Sequence, residues 1–121
     1  MPKRVTIKVT TNTSGDGTGY SGVVSGEIST VRYVKTDFSN GSTITITLET
    51  TGETVLAETS INASASRAPR QATHSIAGAA ALYAGSGTAV NDRIVAVQER
   101  IKVVVAGGGS VTTGTFYVTL V

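Results

Sequence analysis

A chain of 121 residues fits one domain with one core, here residues 1–121. Hydrophobic residues make up 40% and charged residues 15%, which excludes a disordered polyelectrolyte and leaves little charge to cover a lone monomer. A net charge of +2 is too small for a field that would hold nucleic acid, and the lack of cysteine removes disulfides and thiolate metal sites.

Residues 3–10 alternate, with Val5, Ile7 and Val9 on one face and Arg4, Thr6 and Lys8 on the other, which predicts a half-buried strand. The stretch Asn12 to Gly22, rich in Gly, Ser and Thr, reads as a loop. Residues 23–36 follow as one long strand or two short ones, with Val31 and Tyr33 opposing Arg32 and Lys35. Asn40-Gly41 favours a tight hairpin turn, because both residues tolerate positive φ. Ile44, Ile46 and Leu48 then alternate with Thr43, Thr45 and Thr47, a strand with one apolar face. A turn at Thr50 to Glu53 leads to a strand over residues 54–61.

Residues 62–92 break the rhythm. Ala, Ser and Gly crowd the stretch, and Gly78 and Gly85 bracket the Ala cluster too tightly for a stable helix, so it reads as a long crossover. Alternation returns at 94–105, with Val95, Val97, Ile101, Val103 and Val105 on one face and Gln98, Arg100 and Lys102 on the other. Glu99 falls on the apolar side of that pattern, so it needs a partner or marks a bulge. Gly107 to Ser110 is a turn, and a last strand runs over 114–121 with Phe116, Val118 and Leu120 inward. Seven or eight strands with turns at short intervals predict an all-β, single β-sandwich or jelly-roll-like domain with a Greek-key type long crossover.

The residue types that carry chemistry are scattered. His74 is the one histidine, Asp16 stands apart from other acids, and the spacing of His74, Ser75 and Asp92 repeats no nucleophilic arrangement. Glu49, Glu53 and Glu58 read as exposed acids on a hairpin, not as a glycosidase pair. Gly15 to Gly22 lacks the following helix that a phosphate loop requires. These residues predict no enzyme, no cofactor and no metal. One local cluster remains on the crossover: Arg67, Arg70 and His74, with Pro69 stiffening the backbone between the arginines. Arg is suited to partner carboxylates, so these four residues are the candidate partner-binding site. The start, Met1 to Val5, has no apolar signal core, and no apolar run approaches the length of a membrane span. Neither a membrane nor a nucleic acid is expected as partner.

The order Gly52-Glu53-Thr54-Val55-Leu56, Pro69-Arg70, a Gly/Ala crossover, Ile101 to Gly109 and Gly114-Thr115-Phe116-Tyr117-Val118 resembles small β-sandwich virion structural proteins of tailed bacteriophages, of the capsid cement or decoration type. The resemblance spans roughly residues 43–121. It implies a protein made in the host cytoplasm and placed on the capsid surface, a homo-oligomer (dimer or trimer) that binds the major capsid protein or another virion protein. Related modules at the head–tail neck or in the tail give a second virion role. A carbohydrate-binding sandwich is the alternative from another class, and it would stack sugars on Tyr20, Tyr33, Tyr83, Tyr117, Phe38 or Phe116.

Overall fold

The computed structural model describes residues 2–85 and 87–121. The described residues form strands, turns and loops with no helix, so none is long and apolar enough to cross a membrane. The strands are β1 (Lys3–Thr10), β2 (Gly17–Val34), β3 (Ser42–Leu48), β4 (Thr54–Ile61), β5 (Ala65–Arg67), β6 (Arg70–Ala72), β7 (Asn91–Ala106) and β8 (Thr113–Leu120). All pairings are antiparallel, and the main path runs β1-β8-β2-β7-β3-β4, with β5 added to β2 and β6 to β7.

The path is one hydrogen-bonded sheet folded over on itself. β2 makes the fold possible because it changes partner along its length: residues 17–28 pair with β7 and residues 28–34 with β8. A register shift between Ile28 and Thr30 lies where those halves meet, and further shifts between Tyr20 and Val23 and between Val24 and Gly26 bend the half paired with β7. Serine hydroxyls fill the ladder there: Ser21 Oγ accepts from Ile101 N–H (2.9 Å), and Ser25 Oγ from Gln98 N–H (2.9 Å). One layer therefore holds β1, β8, the end of β2 and β5; the other holds the start of β2, β7, β3 and β4. This is the sandwich-type, all-β fold that the alternation predicts.

The core lies between the layers. Ile44, Ile46 and Leu48 are buried, and they pair with Val105, Val103 and Ile101. Phe116, Val118 and Leu120 face them from β8, with Ile7, Val9, Val31 and Tyr33 beside them. The Thr-Ile-Thr-Ile-Thr run of β3 shows the cause, since a period of two sends every isoleucine inward and every threonine outward.

Two readings of the sequence change. The Gly-rich stretch before Val23 is strand from Gly17 onward, because Gly17 to Tyr20 pair with Val105 to Lys102 of β7, and β1 crosses closely over it. A Cβ on Gly19 would lie 2.8 Å from Val9 Cγ2 and 2.9 Å from Ile7 Cγ2, so glycine here serves packing, not a turn. Val95 and Val97 point to solvent, 49% and 68% exposed, while Ile94 and Ala96 are buried. A bulge at Gln98 (φ 49°) reverses the alternation, so only Glu99 to Val105 keep the phase expected for the whole strand.

Gly114 gives a direct test of interlayer packing. The ring of buried Phe38 lies where its Cβ would be. Gly114→Val should force that ring aside and cost about 1–3 kcal/mol, the usual range for overpacking. Urea denaturation would measure it; an unchanged midpoint would mean that Phe38 does not pack there in solution.

Candidate functional site

Between β5 and β7 the chain leaves the sandwich. The ladder continues outward as β6 pairs with the start of β7, Arg70 opposite Arg93 and Ala72 opposite Asn91. Beyond it, Thr73 N–H donates to Val90 O (2.8 Å), Ala81 N–H to Thr73 O (3.0 Å) and Val90 N–H to Ala81 O (2.9 Å). Single bridges join His74 to Ala80 and Leu82 to Ala89. Ser75 closes the turn at the tip: its N–H donates to Ala79 O (2.8 Å), and its Oγ accepts from Ala77 and Ala79 N–H. Small residues allow such narrow ribbons, and the backbone bonds give the arm a shape of its own.

The side chains of this arm are unusual for a solvated surface. Residues 71–91 contain no Asp, Glu, Lys or Arg. Ile76 is fully exposed, Tyr83 is 76% exposed and Leu82 38%. The accessible surface of 6587 Å² exceeds the roughly 6,100 Å² typical of a compact monomer of this mass, as expected for a projection.

The four residues singled out in the sequence divide between base and tip. Arg67 lies on β5, where Nε meets Glu58 Oε1 (2.7 Å) and Nη2 meets Oε2 (3.2 Å), with the guanidinium 5.8 Å from the Tyr33 ring centroid. Tyr33 donates its hydroxyl to the same carboxylate (2.6 Å). Arg67 therefore has its carboxylate within the chain, and β4 supplies it. This arginine lowers the Glu58 carboxyl below its ordinary range, while burial, then Glu58, raises the Tyr33 hydroxyl. Arg70 donates from Nη1 to Ser29 O (3.0 Å) and Pro69 O (2.8 Å), fastening the base of the arm to β2. Pro69 is buried at that base, and only His74 stands on the exposed arm.

Sequence reasoning missed Ile76 and Leu82 and took Tyr83 only as a possible sugar platform. The available signal was the charge-free run itself, with large apolar residues spaced among alanines and glycines.

Elsewhere the surface is satisfied locally. The Arg100 guanidinium lies 4.3 Å from the Tyr20 ring centroid and holds Glu49 with two nitrogens, Nε at 2.9 Å from Oε1. Tyr117 lies beneath Arg4, and Tyr33, Phe38 and Phe116 are buried, which leaves Tyr83 as the open ring among the described residues. That is little for a sugar-stacking site. The shallow cleft lined by Tyr33, Phe38, Ile44, Ile61 and Phe116 leaves no room for even a water molecule, so it is core packing and not a small-molecule site, which takes roughly 300–1,000 Å³. Among the described residues, no three His, Asp or Glu side chains gather as metal ligands. Comparison with protein-family profiles, curated proteins and solved structures gives no match to this chain.

Proposed function

We propose that this chain is a non-enzymatic structural protein of a tailed-bacteriophage virion, of the capsid cement type, which attaches to neighbouring capsid subunits through its arm. The carrying observation is the charge-free arm with its exposed Ile76, Leu82 and Tyr83. Covering a fully exposed isoleucine contributes about 1.5–3 kcal/mol, and tyrosine is among the residues that anchor interfaces. An arm already ordered by its own backbone bonds loses less entropy on docking than a free loop. The exposed Val23, Val95 and Val97 on the outer face of β2 and β7 extend the apolar surface beyond the arm. Assembly as a dimer or trimer would cover part of it and let each copy tie together subunits that would otherwise separate.

The test is Ile76→Asp combined with Tyr83→Asp, added to undecorated phage heads. Both side chains are exposed, so the melt should stay within about 0.5 kcal/mol of the parent. Occupancy should fall roughly tenfold or more, equivalent to about 1.4 kcal/mol of binding. Unchanged occupancy removes the arm from the interface. Copy number in purified particles separates a shell protein, present across the head, from a neck protein confined to one ring.

A further inference from the structure

The small net charge hides an uneven distribution. The strands of one layer, β1, β8, β5 and residues 28–34 of β2, carry Lys3, Arg4, Lys8, Arg32 and Arg67 but no Asp or Glu. Arg67 turns to Glu58 on β4. The other ion pairs among the described residues are Arg93 with Glu27 and Arg100 with Glu49, so Arg4, Lys8 and Arg32 have no carboxylate partner.

The register puts these three cations on one surface. Arg4 pairs with Thr119, Thr6 with Tyr117 and Tyr117 with Arg32. The alternate residues Ile7, Phe116, Val118, Val31 and Tyr33 are buried, so this row faces outward. Arg4 and Lys8 lie four residues apart on β1, about 13 Å, and Arg32 sits two strands away, about 10 Å across the sheet. The Asp37 carboxylate at the rim of this layer is taken up by Thr113 at the start of β8, so the three like charges repel one another with no ion-pair partner, and an anionic surface laid over them removes that cost.

We infer that this face docks an acidic protein surface, whose carboxylates meet Arg4, Lys8 and Arg32. The Tyr117 ring decides between this partner and a nucleic acid. It lies 5.4 Å from the Arg4 guanidinium, so the ring is occupied in orienting a planar fork suited to a carboxylate, not open for stacking a base. Three cations also make too few phosphate contacts to hold a polynucleotide firmly at physiological salt. The inference stands apart from the arm, because none of these residues belongs to it.

Labelled poly-L-glutamate is the probe, with binding followed by fluorescence anisotropy. The parent should bind, and binding should weaken as salt rises through about 0.15 M. Arg4→Gln with Arg32→Gln should weaken it about tenfold, and Lys8→Gln alone about threefold, as charge removal at a complementary interface does. Lys8 touches no ring and forms no ion pair, so Lys8→Gln remains informative if loss of the Arg4 stack lowers stability. Lys102→Gln, which removes one charge from the other layer, should change binding little. An equal loss for Lys102→Gln would show that total charge and not this face matters, and would overturn the inference. So would no binding by the parent, or tighter binding of an oligothymidylate than of poly-L-glutamate at the same salt. The Ile76→Asp/Tyr83→Asp variant should bind the probe normally, which keeps failure of the arm distinct from failure of the face.

Discussion

Phe116→Ala is expected to cost about 3–5 kcal/mol of folding stability, which corresponds to a fall of roughly 10–20 °C in Tm for a chain of this size. Phe116 is 1% exposed and sits at the centre of its layer, opposite Ile7 on one side and Tyr33 on the other. Across the interlayer space it lines the same cleft as Ile44 and Ile61. Removing the ring therefore takes contacts from both layers at once, and bulged strands tied at β2 cannot close the gap without breaking ladder bonds. Ile76→Ala, at a fully exposed side chain, should change stability by less than about 0.5 kcal/mol. Thermal and urea melts of the two variants provide the comparison. Similar midpoints for both would mean that the layers do not pack against each other at Phe116.

The second large effect is expected at Glu99, an acid in the buried row that continues as Ile101, Val103 and Val105. Its Oε1 accepts the Thr50 N–H at 2.7 Å and so ties β7 to the turn between β3 and β4. Burial pushes the carboxyl up, but hydrogen bonds from the backbone and hydroxyls of Thr50 and Thr51 outweigh it and leave Glu99 below its ordinary value. Glu99→Leu should lower the melting temperature well below that of Glu99→Gln, because the amide oxygen of Gln still accepts a hydrogen bond and Leu leaves Thr50 N–H without its acceptor.

The pH dependence has a definite sign. A carboxyl whose folded pKa is depressed stabilises the fold above its unfolded value, about 4.3 for Glu, and that stabilisation disappears as pH falls through the folded value. Glu49 and Glu58 are shifted the same way, chiefly by hydrogen bonds from Arg100 and Arg67. The parent should therefore lose melting temperature most steeply below a pH of about 4.3, and Glu99→Gln should flatten part of that limb. Tyr33 acts at the other end. Its raised value stabilises the fold below a pH of about 10, and the contribution is lost as pH climbs through the folded value. A melting profile for Glu99→Gln that parallels the parent throughout would remove Glu99 from the acid transition.

Local pattern alone determined a good deal here. β-branched residues at a period of two specify strands whichever partners they find, so β3, β8 and the Ile101 to Val105 half of β7 were legible with their inward faces. The flag on Glu99 was also readable, since an acid in an apolar row requires a partner or a break in phase, and both occur. Tertiary structure decided what depends on contacts distant along the chain. Gly19 looks like a loop residue until β1 crosses it, and Val95 looks buried until the bulge at Gln98 inverts its strand. Arg67 looks like a free cation until β4 brings Glu58 to it from nine residues away in sequence, and Arg70 until β2 brings the Ser29 carbonyl from 41. The arm emerged for the same reason: only backbone bonds from Thr73 to Ala81 and Val90 turn a small-residue crossover into a shaped projection with Ile76 and Tyr83 outward. A period reports which side of its own strand a residue occupies, whereas burial and pairing depend on what the rest of the chain lays against that side.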